Sequence, residues 1–202
     1  MSAEITVRPA RLGEAAVLAP LLYGVSPEAH DRFAGGRERA LWLIATGLER
    51  AGTSGSTEVT QVAELAAQPA GIVCSYPVRE GADRAAAYAG IGLRASPVWR
   101  RPGMLRFLRR MERATPAPAA ESLYIDALGT APAFRRRGVA RALLADAEDR
   151  ARRLGLGRVS LETEVDNEAA RALYERCGFE PGEAGSQLRG LPRYVAYVKY
   201  LS

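Results

Sequence analysis

Gly129-Thr-Ala-Pro-Ala-Phe-Arg135-Arg136-Arg137-Gly138-Val139-Ala140 stands between a strand-like run, Leu123 to Leu128, and a long amphipathic pattern, Gly138 to Leu154. The first turn of a helix has backbone N–H groups without partners and carries about half a positive charge, so this junction is a ready anion site. Gly138 and Ala140 are small enough for a ligand to approach the main chain, and three successive arginines add charge at the same point. The stretch predicts a cradle for a phosphate or pyrophosphate. A glycine-capped helix start with its arginines in water accounts for the same residues. A Walker A lysine and a spaced GxGxxG are both missing, which weakens P-loop and dinucleotide-fold readings.

Downstream of this junction, Arg158 to Val165 reads as a strand, Glu168 to Cys177 as a helix and Tyr194 to Leu201 as a final strand. The long helix is expected to bury Val139, Ala140, Leu143, Leu144, Ala147, Ala151 and Leu154 and to end at Gly155. On its outer face, Asp146 with Arg150, Glu148 with Arg152 and Asp149 with Arg153 make acid-first pairs at i,i+4. Upstream, Ile5 to Ala10 is a short strand. Ala15, Leu18, Leu21 and Leu22 follow at helical spacing, with Pro20 expected to kink or split that helix. A further helix runs through Ala40, Leu41, Ile44, Leu48 and Ala51, after Gly35-Gly36. Strands at about Thr57 to Leu65 and Gly71 to Val78 form a hairpin with Pro69 in the bend. Residues 79–121 break the rhythm: helices over Ala82 to Leu93 and Pro102 to Ala114 part at Pro97, and an Ala/Pro-rich loop, Thr115 to Glu121, follows. This order predicts an α/β (α+β) fold, one mixed sheet with helices on both faces. A single domain over residues 1–202, with a helical insert at about 79–121, is expected.

Composition narrows the function classes. The chain has 202 residues, 48% hydrophobic and 25% charged, enough length to bury roughly 70% of its unfolded surface. No apolar run approaches the ~20 residues of a membrane span, and the N-terminus lacks a secretory pattern, so a soluble, cytoplasmic protein is expected. Cys74 and Cys177 are the only cysteines and His30 the only histidine. Neither a disulfide framework nor a thiol zinc site can be assembled, no metal is expected, and a Ser-His-Asp hydrolase would have to use His30. The net charge of +5 rests on arginine, since Lys199 is the sole lysine. Arginine holds phosphate or carboxylate bidentately, although scattered surface arginines also serve solubility.

Arg135-Arg136-Arg137-Gly138-Val139-Ala140 resembles the Q/R-x-x-G-x-G/A signature of the GNAT superfamily of acyl-CoA-dependent N-acyltransferases. Asn167-Glu-Ala-Ala170-Arg-Ala-Leu173-Tyr174-Glu-Arg-Cys-Gly178-Phe179 is similar to that family's N-x-x-A-x-x-x-Y-x-x-x-G-F. Together the two motifs cover about residues 122–182. The resemblance implies a mixed sheet with a V-shaped splay between the strands near 123–128 and 158–165. It implies acetyl-CoA as co-substrate, its pyrophosphate held by the amides of Arg136, Arg137, Gly138, Val139 and Ala140, with Arg135 beginning the cofactor-binding motif. Its pantetheine arm would pair with the main chain of Leu128 and Thr130, with Asn167 and Ala170 touching the cofactor. Thr130 stands where the family more often has valine.

The resemblance gives Tyr174 the role of protonating the departing thiolate. A phenol of pKa ~10 beside a thiolate of pKa ~8.5 can do so, whereas packing with Leu173 and Phe179 is its structural alternative. Asn167 is equally suited to cap the helix it begins. An acceptor amine must lose a proton before it attacks, so a base is needed. Tyr124 and Asp126 share a strand face by alternation, and Asp126 is the first candidate, ahead of Glu162 and Glu164 on the next strand. Cys74 and Cys177 read as packing residues.

Acceptor choice is expected to depend on about Tyr23 to Arg39 and on the insert. Trp99-Arg100-Arg101-Pro102-Gly-Met-Leu-Arg106-Phe107-Leu-Arg109-Arg110 is basic and aromatic together, which suits an acidic acceptor or a nucleic-acid backbone. An amphipathic helix burying Met104, Leu105, Leu108 and Met111 accounts for it as well. His30 is expected between two N-terminal helices, in the acceptor pocket or in a solvated loop. The leading reading is acetyl transfer to a primary amine of a small molecule or peptide by direct attack in a ternary complex. A non-catalytic acyl-CoA sensor would share the fold but has no use for Tyr174. A nucleic-acid-binding module is the third reading, and similar proteins are often homodimers.

Overall fold

The computed structural model describes residues 4–202. Seven strands, β1 (Ile5–Pro9), β2 (Thr60–Leu65), β3 (Gln68–Pro77), β4 (Leu123–Thr130), β5 (Arg158–Glu164), β6 (Glu180–Ala184) and β7 (Tyr194–Tyr200), form one sheet in the order β1-β2-β3-β4-β5-β7-β6. Only β4 and β5 run parallel; the other neighbouring pairs are antiparallel. Their pairing covers Leu123 with Val159, Tyr124 with Ser160 and Ile125 with Leu161, and then stops, although both strands continue. The cause is on the opposite edge of β4. There the register jumps from Ile125 opposite Ser75 to Ala127 opposite Cys74, leaving Asp126 without a counterpart. A bulge of this kind bends and twists its strand, and here it turns β4 away from β5. The resulting V is the splay that the motif resemblance implied.

Seven α-helices cover the two faces: α1 (Ala15–Tyr23), α2 (Pro27–Ala34), α3 (Arg37–Leu48), α4 (Gly81–Ala95), α5 (Arg101–Ala114), α6 (Val139–Arg153) and α7 (Glu168–Arg176). On one face, Val139, Leu143, Leu144, Ala147 and Ala151 of α6 pack on Val73, Leu123, Ile125, Val159 and Leu161 of the sheet. Burying each large aliphatic side chain there contributes ~1.5–3 kcal/mol, which anchors α6 and so the loop before it. On the other face, Leu18, Leu22, Ile44 and Leu48 cover Val62, Ile72 and Cys74. Phe33, Leu43, Ile91 and Met104 then join the insert helices α4 and α5 to α2 and α3.

Several local expectations need correction. Pro20 lies inside an unbroken α1. Its exposed position lets water take the carbonyl that its missing N–H would have bonded. His30 belongs to α2, not to a loop; the helix starts with Pro27 at its first turn and ends at Gly35, φ 89°. The imidazole stacks on Tyr23 with centroids 6.1 Å apart, and burial lowers its pKa. The hairpin turn is Ala66-Ala67, at φ 53° and 58°, with Pro69 inside β3 opposite Glu64. Two alanines carry no turn signal. None of the three expected i,i+4 pairs of α6 forms among the described residues. Glu148 pairs with Lys199 of β7 at 2.6 Å, Asp149 with Arg152 at 3.0 Å, and Arg150 donates to Ser75 Oγ at 2.8 Å. For Glu148 and Arg150, partners shielded by the sheet outweigh exposed intrahelical pairs, whereas Asp149 exchanges its i,i+4 partner for an equally exposed one at i,i+3. Leu154, expected in the core, is 51% exposed. Strand β6 is exposed along its length and pairs with β7, and its Glu-Pro-Gly-Glu-Ala sequence has no apolar alternation to announce it.

Candidate active site

The junction between β4 and α6 turns sharply. A 3₁₀ turn over Pro132–Phe134 is followed by Arg136 at φ 63° and by Gly138, which caps α6 at φ 87°. Both are left-handed conformations; glycine adopts this freely, and an arginine does so at a cost of ~1–2 kcal/mol. The first backbone bond of the helix runs from Ala142 N–H to the Gly138 carbonyl. Among the described residues, no N–H from Arg136 to Arg141 donates to a backbone carbonyl, and no side chain caps the helix. The first turn holds no acidic residue. Arg135, Arg136, Arg137 and Arg141 crowd the positive end of a helix that, for its own stability, would prefer acids there. The arrangement suits a bound anion.

These groups open on a cavity of about 530 Å³ whose walls include Thr130, Arg135, Arg136, Gly138, Val139 and Ala140, facing Asn167, Ala170, Leu173 and Arg176 of the α7 region. Of the residues named for the cofactor, Leu128, Arg137 and Tyr174 do not line it; the Arg137 guanidinium lies over the Phe134 ring at 5.9 Å, and Leu128 and Tyr174 line the neighbouring cavity. Phe134, Arg141 and Arg176 line it without having been named. Arg176 could have been suspected from its i,i+3 spacing to Leu173 on α7. Asn167 does cap α7, its Oδ1 accepting from Ala170 N–H at 3.2 Å, and it lines the cavity as well.

Inside the V lies a second cavity, of about 310 Å³, which shares Asn167 and Ala170 with the first. Leu128, Asp126, Glu162, Glu164 and Tyr174 all line it. Asp126 is open to this cleft on one side. Even so, loss of hydration pushes its pKa up to about 6, an effect the Tyr76 phenol partly offsets. Glu162 is pushed up to about 7 by burial, with the Tyr124 hydroxyl opposing and the nearby Asp126 charge adding to the rise. Tyr124 is not free to act as a base. Its hydroxyl donates to Glu162 Oε1 at 2.6 Å, and burial first, then Glu162, hold the phenol well above its ordinary range. Tyr124 therefore positions Glu162. Tyr76, which sequence reasoning did not single out, is buried against Tyr124 with centroids 5.8 Å apart.

Tyr174 packs on Phe179 and Tyr197 at 6.0 and 5.6 Å. Its hydroxyl makes no hydrogen bond among the described residues, and burial raises its pKa, so at neutral pH it keeps its proton. Core packing and a cleft-lining phenol coexist in this one side chain. Cys74 is buried, 3.2 Å from Thr60 Oγ1, with its thiol pushed up to about 12 by burial, which suits packing and not reaction. Among the described residues, no group of three or more His, Cys, Asp or Glu side chains is placed to hold a metal ion. No helix there is long and apolar enough to cross a membrane.

A sequence model described as Acetyltransferase (GNAT) family matches residues 42–179, more than half of the chain. The chain belongs to the GNAT acetyltransferase family. The match spans β2 to α7 and so includes the bare N–H groups of α6 and both arms of the V. This GNAT chain is also 36% identical over 171 residues to a mycothiol acetyltransferase from Beutenbergia cavernae, covering 79% of the chain and 54% of the relative. The chain thus spans about half the length of that curated relative. An N-acetyltransferase structure from Staphylococcus aureus Mu50 superposes with a TM-score of 0.74 at 21% identity, over 96% of this chain and 99% of that one. The ribosomal-protein-S18-alanine N-acetyltransferase from Escherichia coli gives 0.55 at 14% identity, over 98% and 95%. At these identities the two structures establish the shared GNAT fold.

Proposed function

We propose that the chain, acting as one domain, transfers the acetyl group of acetyl-CoA to a primary amine of a small molecule or peptide, by direct attack and without a covalent enzyme intermediate. The observation that carries this reading is the continuity of two cavities. One is walled by unpaired helix-start amides and arginines, the other by two carboxyls of raised pKa, and Asn167 and Ala170 belong to both. A diphosphate fits the first, because peptide N–H groups and guanidinium forks are what its oxygens accept from. The backbone edge of Leu128 to Thr130, released from β5 by the bulge, is free to pair with an amide-bearing arm along the V.

Acetyl-CoA, when bound, supplies an activated thioester. The chain supplies the proton traffic. Asp126 or Glu162 takes a proton from the acceptor ammonium so that nitrogen has a lone pair for the carbonyl carbon. A raised pKa makes either carboxyl a stronger base than an ordinary carboxylate, yet leaves it ionised above neutral pH. Tyr174, still protonated, donates to the sulfur as the carbon–sulfur bond breaks. The mycothiol acetyltransferase relative agrees with acetyl transfer, and it lends this half-length chain no particular acceptor.

The test is release of free CoA thiol from acetyl-CoA in the presence of polyamines, aminoglycosides, amino acids and peptides. Turnover with at least one amine is expected, and Tyr174→Phe should slow it by roughly 10²–10⁴ while leaving acetyl-CoA affinity nearly unchanged. Acetyl-CoA binding without thiol release for any amine would favour the sensor reading. A Tyr174→Phe rate equal to the parent would move the proton donation to water or another group.

A further inference from the structure

The cleft continues beyond the carboxyls. The 310 Å³ cavity shares Ser26, Ala29, Met111, Glu164 and Tyr194 with a neighbour of about 370 Å³, which in turn shares Arg32, Phe107 and Leu191 with a third of about 530 Å³. These adjoining cavities mark out a trough from Asp126 and Glu162 past α2 and α5 towards Trp99, with the shared side chains as its narrow points.

Its charge changes sign along the way. The inner stretch has Asp126, Glu162 and Glu164, and the middle adds Glu28 and Asp31. The outer cavity holds Arg32, Arg100, Arg106 and Arg110 around Trp99, whose indole is 81% exposed. Among the described residues, none of these four arginines is within salt-bridge distance of a carboxylate. Arg32 donates only to the Gly190 carbonyl, at 2.5 Å, and Arg110 to the Arg189 carbonyl. The Arg100 guanidinium occupies the space over Gly35 that a Cβ would fill, at a residue whose φ of 89° also calls for glycine. Arg106 and Arg110 stand at i,i+4 on α5, where like charges work against the helix. Arg32, Arg100 and Arg110 make neutral packing and carbonyl contacts that leave their charge uncompensated, and Arg106 has neither a hydrogen bond nor an ion pair among the described residues.

We propose that the acceptor is bifunctional: its amine reaches the inner carboxyls, while a carboxylate or phosphate at its far end docks on Arg32, Arg100, Arg106 and Arg110. The acidic-to-basic polarity of the trough admits such a molecule in one orientation, amine inward. It disfavours a long polyanion, which would have to thread the acidic stretch or remain wholly outside. This proposal rests on the acetyl-transfer reading for the inner end of the trough and on the outer cavity alone for the anion.

The experiment compares hexylamine, 6-aminohexanoate and 6-aminohexyl phosphate, together with the peptides Ala-Gly-Gly amide and Ala-Asp-Asp, in the thiol-release assay. The anionic member of each set should have a kcat/KM roughly 10-fold or more above its neutral counterpart, decaying with salt. The two hexyl anions separate carboxylate from phosphate recognition. An Arg106→Ala/Arg110→Ala variant, with both sites exposed, should erase the preference through KM while the neutral amines and acetyl-CoA keep their parent values. Independently, Trp99 fluorescence in a Trp42→Phe background should respond to 6-aminohexyl phosphate without acetyl-CoA, and the arginine variant should lose that response. Turnover of neutral amines with no anionic preference overturns the acceptor proposal and leaves acetyl transfer standing. A fluorescence response without turnover of any amine sinks acetyl transfer and the acceptor assignment with it. A response confined to an added oligonucleotide overturns the proposal in favour of nucleic-acid contact.

Discussion

In Asp126 and Glu162 the property that would serve the proposed reaction, a raised pKa, costs the fold. Their folded pKa values, about 6 and about 7, lie above ordinary values of 3.8 and 4.5. The folded chain therefore binds these protons more tightly than the unfolded chain, and the stability this gives is full below pH ~4 and lost as pH rises through 6 and 7. Glu162→Gln is expected to raise the Tm by a few degrees at about pH 8 and by less at about pH 5, and Asp126→Asn, at an exposed carboxyl, to follow the same pattern more weakly. Activity should run the opposite way. The pH–rate profile of the parent should climb between about pH 6 and 7, and losing the true base should cost about 10²–10⁴ in rate. A flat profile, or a Tm gain over the parent no larger at pH 8 than at pH 5, would count against this account. Both carboxyls were legible in the sequence as alternating strand residues, yet the bulge at Asp126 was not, since it depends on pairing with Cys74 and Ser75. Tyr76 was hidden for the same reason: its contact with Tyr124 comes from a neighbouring strand, and its own strand is buried without alternation from Ala70 to Pro77.

At the scale of the element, α6 decides the site. Its apolar spacing made it the most legible helix in the sequence, and Gly138 with its run of arginines located its start. The partners of its charged face were not legible, because Lys199 and Ser75 approach only once the sheet is assembled. The position of the helix start is enforced from below by Gly71 of β3. A Cβ there would fall 2.5 Å from Val139 Cγ1 and 2.9 Å from the Gly129 carbonyl oxygen. Gly71→Ala should push the first turn of α6 outward, cost ~1–3 kcal/mol in denaturant unfolding, and weaken acetyl-CoA binding roughly 10-fold by calorimetry. Unchanged affinity in a correctly folded variant would mean that the helix start does not set the cofactor position. Elements with weak patterns escaped sequence reading. β6 lacks alternation, α2 is short and begins on a proline, and the Ala66-Ala67 turn uses residues that seldom adopt a positive φ.

Over the whole molecule, the bulge, the V and the helix start combine into a single passage. The helix-start cavity, the carboxyl cleft and the arginine pocket follow one another through shared walls, and on the proposed reading they would take, in that order, the diphosphate, the thioester with the amine, and the distal anion. The fold class and the two motif regions could be read in advance because apolar periodicity and backbone chemistry are local. Two of the segments around the proposed acceptor site, Tyr23 to Arg39 and the insert, were singled out in the sequence, but their meeting with each other and with the chain before β7 was not legible, because the three are far apart in sequence. The most direct measurement of the central claim is a crystal structure with acetyl-CoA bound. The account predicts diphosphate oxygens at roughly 2.7–3.2 Å from N–H groups between Arg136 and Arg141, with the sulfur between Tyr174 and the carboxyls. A diphosphate bound elsewhere, with those N–H groups facing water, would contradict it.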